Sequence, residues 1–166
     1  MQPEIIHATE ELYRANPDGA RAAPAVTGRL VEGKAELSAG PYTWHADLAP
    51  SLGGTGSAPS PTHYLLGALA GCAVAFIHDT LAPQLGIAIA DLSAVARCRA
   101  DARGLLGMDG IAADLDGIEV EIAITTSASA ERLQALEAVW RERCPIDLAV
   151  VKTNDVSVRL TNAVPA

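Results

Sequence analysis

Hydrophobic and polar positions along this chain change period several times, and each change marks an element. Residues 3–15 carry an amphipathic helical pattern with Pro3 in the first turn, and "NPDG" ends it. "ARAAP" is a connector. Between Ala25 and Pro50 the pattern breaks at Gly28, Gly33 and Gly40-Pro41, which predicts three short strands, "AVTGRLVE", "KAELSA" and "YTWHADLA". "PSLGGTGSAPSP" is a loop. Ser60 then caps a helix that starts at Pro61 and runs to about Ala82, where Pro83 is expected to stop it. "LSAVARCRADA" alternates, with Leu92, Ala94, Ala96, Cys98 and Ala100 on one face. "GIEVEIAITT" alternates too, with Ile118, Val120, Ile122 and Ile124 inward. Ser129 caps a second helix whose buried stripe is Leu133, Leu136, Val139 and Trp140, and this helix runs straight into "CPIDLAV". "DVSVRLTN" is expected to close the chain as a strand. The order is strands, long helix, strands, helix, strand, without βαβ alternation. That order predicts an α+β fold rather than a doubly wound parallel sheet.

Length and charge narrow the function. The 166 residues suit one domain with a true core. Twelve basic against twenty acidic residues leave a net charge of −8, which argues against nucleic-acid and anionic-lipid partners. The longest apolar run, Tyr64 to Ile77, is too short to span a bilayer, and the N-terminus lacks the basic and apolar blocks of a signal peptide. A cytoplasmic location is therefore expected, where a close cysteine pair is redox-active or catalytic more often than structural. The glycine loop is not followed by Gly-Lys-Ser/Thr and does not have G-x-G-x-x-G spacing, so it is not read as a phosphate cradle.

The chemistry lies with three cysteines. Cys98 sits on the small-residue face of a strand and is expected in the core. Cys72 is the twelfth residue of its helix, too far along for the helix dipole to ionise it. Any thiolate there needs a cation from another segment. Cys144 ends one helix where Pro145 starts the next, so its sulfur is expected near free amide N–H groups, which favour a thiolate. No C-x-x-C motif is present, His63 and Cys72 fall on opposite helix faces, and no histidine has zinc-ligand spacing with a cysteine. Spacing alone leaves two alternatives: a dithiol pair of Cys72 with Cys144, or separately packed thiols.

"LGGTGSAPSPTHYLLGALAGC" followed later by "RCPI" resembles the OsmC/Ohr family of organic hydroperoxide reductases. The resemblance covers roughly residues 25–161, leaving 1–24 as an N-terminal extension and 162–166 as a tail. It implies an intertwined α+β homodimer, with antiparallel sheets wrapped around long central helices and active sites between subunits. Cys72 would attack the peroxide and Cys144 would resolve it. Arg29, in "VTGRL" forty-three residues before Cys72, would keep the attacking sulfur ionised and hold the peroxide. The implied partners are a second copy, an organic hydroperoxide and an external dithiol reductant, with no cofactor or metal. One position departs from the pattern: Thr62 stands where the hydroperoxide reductases carry a glutamate that orients the arginine. The rival reading is a non-catalytic dimer of the same fold that binds small apolar or thiol-bearing ligands.

Overall fold

The computed structural model describes residues 2–161. Helix α1 (Gln2–Ala15) is followed by a 3-10 turn at Pro17–Ala20. Strands β1 (Thr27–Val31), β2 (Lys34–Ala39) and β3 (Tyr42–Ala46) form an antiparallel meander. The β1–β2 turn has only two residues, Glu32 and Gly33, both at positive φ (49° and 79°). That is the tight hairpin geometry whose twist matches the strands. The strands of the meander pack principally on one another.

β3 ends earlier than the sequence pattern suggests, because Asp47 leaves the ladder and turns into the glycine loop. Its carboxylate accepts from the backbone N–H groups of Leu48, Thr55 and Ser57 and from the hydroxyls of Thr55 and Ser57, at 2.6–3.3 Å. These bonds hold the Asp47 carboxyl well below the usual carboxylate range, the Thr55 hydroxyl contributing most. Gly54 is required at the centre: a Cβ there would lie 2.0 Å from the Leu48 carbonyl oxygen. The Asp47 N–H donates to Pro59 O at 3.2 Å, and the Tyr64 hydroxyl donates to His45 O. Both contacts join the end of β3 to the start of the next helix.

Helix α2 (Pro61–Phe76) continues through a π-turn at Ile77–Leu81 into α3 (Ala82–Gln84). Pro83 therefore does not end the helix at Ala82. The Ala82 N–H reaches back five residues to Ile77 O, and this wider turn accommodates a proline ring that donates nothing. The helix stops at Gly86, which adopts a φ of 62°. Taken as one helix, Pro61–Gln84 is long and apolar enough to cross a membrane. Its Leu69, Ala73, Ile77 and Leu81 are nevertheless buried within the protein.

Strands β4 (Ile89–Arg99) and β5 (Asp116–Thr126) pair antiparallel, and a connection containing the short helix α4 (Ala102–Leu105) joins them. Both strands alternate as the sequence predicts, with Leu92, Ala94, Val120, Ile122 and Ile124 packed against the core. Helices α5 (Ala130–Arg143) and α6 (Pro145–Val151) complete the order. The core is formed by Ala73, Ile77, Leu81, Ala82 and Ile87 together with Leu136, Trp140 and Cys144. Cys98 is only partly buried and does not belong to that cluster.

The expected strand at "DVSVRLTN" is not formed. The chain after α6 is irregular through residue 161, and Val156, Val158 and Leu160 are 82, 88 and 99 % exposed. The alternation suits a strand, but a strand exists only by pairing, and among the described residues β5 pairs with β4 alone; Asn162 and the expected tail 162–166 lie outside the described residues.

Candidate active site

The site is a corner between helices. Cys144 is both the last cap of α5 and the first cap of α6: its N–H donates to Trp140 O at 2.8 Å, and its carbonyl accepts from Leu148 N at 3.0 Å. Pro145 can follow because the first position of a helix needs no N–H. The fresh N-terminus of α6 points at sulfur, as the sequence predicts. The Asp147 N–H donates to Cys144 Sγ at 3.5 Å, and the Ile146 backbone amide acts on Cys72 in the direction that favours a thiolate.

Cys72 and Cys144 are both free thiols, and their sulfurs are 3.0 Å apart. Cys144 is fully buried, whereas Cys72 is partly accessible. Gly67, Ala68 and Gly71, which precede Cys72 on α2, are exposed, and a Cβ at Gly67 or Gly71 would meet open space. Loss of water pushes the Cys72 thiol up to about 11, with further contributions from the Cys144 thiol and the Asp147 carboxylate. The Ile146 N–H opposes the rise without cancelling it. Within the single chain, Cys72 is therefore a thiol at neutral pH, and no cation among the described residues lowers it.

Arg29 is not brought to this pair. It is exposed on β1, directly across the ladder from Glu36, and makes no ion pair among the described residues. Glu36 lies 3.6 Å from His45 on its other side. Thr62 is in the first turn of α2, and beside it the Ser60 hydroxyl bonds His63 Nδ1 at 2.8 Å instead of capping the backbone as expected. The structure thus joins two of the three predicted site residues and leaves the third on a separate sheet. Asp47 escaped the sequence reading. Its signal was an acid at the end of a strand, followed by Thr55 and Ser57 in a glycine loop, a pattern of side chains that bond local backbone.

The family model for OsmC-like protein matches residues 54–160. The chain belongs to the OsmC-like family. Both paired cysteines lie inside the match, whereas α1 and the meander that carries Arg29 precede it. The fold is similar to that of an OsmC-like protein from Mycoplasma pneumoniae, with 21% identity, TM-score 0.66, and coverage of 78% of this chain and 87% of that one. An organic hydroperoxide resistance protein OsmC from Legionella pneumophila is similar at 20% identity, TM-score 0.60, covering 78% and 90%. A putative osmotic stress induced and detoxification response protein from Psychrobacter arcticus is similar at 19% identity, TM-score 0.58, covering 76% and 86%. At these identities the likeness is one of fold. No curated protein matches the chain.

Proposed function

We propose that this OsmC-like protein is a thiol peroxidase that reduces organic hydroperoxides to alcohols. The observation that carries the reading is the contact of two free thiols, 72 residues apart in sequence, at a sulfur separation of 3.0 Å. The Cys72 thiolate attacks the terminal peroxide oxygen, the O–O bond breaks, and the departing alkoxide takes a proton to leave as an alcohol. Cys72 is left as a sulfenic acid. Cys144 attacks that sulfur, the S–O bond breaks, and water leaves as the disulfide closes. An external dithiol reopens the bond, which suits the cytoplasm. No cofactor or metal enters these steps.

The cation is supplied by a homodimer in which Arg29 of a second copy reaches Cys72. Four features support this arrangement: Arg29 makes no ion pair among the described residues, Leu30 beside it is exposed, the free edge of β5 is open, and a groove of about 450 Å³ lies between β5 and α5. The buried Trp140 indole N–H lining that groove has no acceptor among the described residues. An apolar helix face around Cys72 suits an alkyl or aryl peroxide better than hydrogen peroxide. The raised Cys72 thiol favours a second reading, a non-catalytic dimer that binds small apolar or thiol-bearing ligands.

Stopped-flow oxidation with cumene hydroperoxide and with hydrogen peroxide, followed by intact mass, tests the proposal. A peroxidase loses two thiols per equivalent and prefers the organic peroxide; a binding protein reacts with neither at a useful rate.

A further inference from the structure

Arg143 immediately precedes Cys144, and its guanidinium carbon lies 5.7 Å from the centroid of the Phe76 ring. Phe76 is one helical turn beyond Cys72 on α2. Arg143 therefore touches the helix of one thiol while being covalently next to the other. The same guanidinium donates from Nη1 to Gln84 Oε1 at 3.1 Å, and Gln84 Nε2 donates to Glu10 Oε1 at 2.8 Å. Glu10 lies on α1 and also accepts from Arg14 Nη2 at 3.4 Å. Helix α1 packs on α3 and on the π-turn, and it lies outside the segment matched by the family model. An unbroken chain of contacts thus runs from the N-terminal extension to the residue beside Cys144.

We propose that Gln84 and Arg143 are positioning residues for closure of the Cys72–Cys144 disulfide, with α1 as the strap that holds them. The inference rests on the disulfide step of the reading above. In that step the Cys144 sulfur attacks the Cys72 sulfenic acid, an S–S bond forms, and the S–O bond breaks. The leaving hydroxide takes the Cys144 proton as water. Starting from 3.0 Å, the sulfurs approach to a bond of about 2.05 Å. The α5–α6 corner must therefore be held against α2, and a cation stacked on Phe76 and anchored from Gln84 does this. Glutamine suits the link because one side chain donates to Glu10 and accepts from Arg143.

The test uses the full chain in mixtures of reduced and oxidised dithiothreitol, with acid quenching, alkylation and mass spectrometry. The fraction of Cys72–Cys144 disulfide gives the effective concentration of one thiol at the other without any peroxide, so this experiment and the peroxidase reading can fail separately. Gln84→Ala and Arg143→Ala should each lower that effective concentration by about threefold or more, with the alkylation rate of Cys72 unchanged. Pairing Glu10→Gln with Gln84→Glu reverses donor and acceptor in the first link and keeps an acceptor for Arg143. It should restore the wild-type value. An unchanged effective concentration in both alanine variants, or no recovery in the exchanged pair, overturns the proposal.

Discussion

Cys144 is sealed from solvent while Cys72, 3.0 Å from it sulfur to sulfur, keeps part of its surface. A peroxide arriving from solvent meets Cys72 first. Cys144→Ser is therefore expected to consume one equivalent of peroxide and to leave a sulfenic acid on Cys72. Cys72→Ser should not react at a comparable rate. Dimedone labelling of each variant checks this, and label confined to Cys144 would reverse the roles.

Arg29 is expected to supply the ionisation that the Cys72 environment opposes. Burial has pushed that thiol up to about 11, so a nearby guanidinium must lower it before a nucleophile exists at neutral pH. Arg29→Ala should raise the Cys72 pKa by about one unit or more, and Arg29→Lys should restore only part of the rate, because ammonium lacks the planar fork. Alkylation rates across pH, measured on the assembled protein, give the answer. Arg21, the next arginine upstream, pairs with Asp18 at 3.1 Å; a shift in Arg21→Ala with none in Arg29→Ala would move the role there.

These two predictions divide along the line of what the sequence made legible. The elements themselves were readable, because periodicity and caps such as Pro61 and Ser129 act locally. The thiol pair required the family resemblance: a separation of 72 residues between Cys72 and Cys144 carries no spacing signal, and only packing of α2 against the α5–α6 corner joins them. Pro83 misled because a π-turn can absorb a proline, and its widening leaves no mark in composition. "DVSVRLTN" has a strand's alternation, but through residue 161 it joins neither sheet, and alternation alone does not say which edge a segment reaches. The reach of Arg29 was equally unreadable, since the meander that carries it packs mainly on itself.

Asp47 should govern stability at low pH. Its folded pKa is depressed below the ordinary 3.8, so its contribution is complete above that value and is lost as pH falls toward the folded value. Asp47→Asn is expected to lower Tm near neutral pH, because an amide cannot accept the same set of donors. The gap between wild type and variant should narrow below about pH 4. Melting curves across pH check the sign, and a gap that widens on acidification would contradict it.

Leu136→Ala should destabilise the protein by about 2–5 kcal/mol, since Leu136 is fully buried in the cluster that contains Cys144. Urea unfolding measures the loss. The same cavity should loosen the α5–α6 corner and slow disulfide closure after peroxide addition.

The central claim is that Cys72 and Cys144 form one redox couple. Peptide mapping after addition of one equivalent of cumene hydroperoxide tests it most directly. The account predicts a Cys72–Cys144 disulfide with Cys98 recovered as a free thiol. A bridge that includes Cys98, or three free thiols after peroxide, would contradict it.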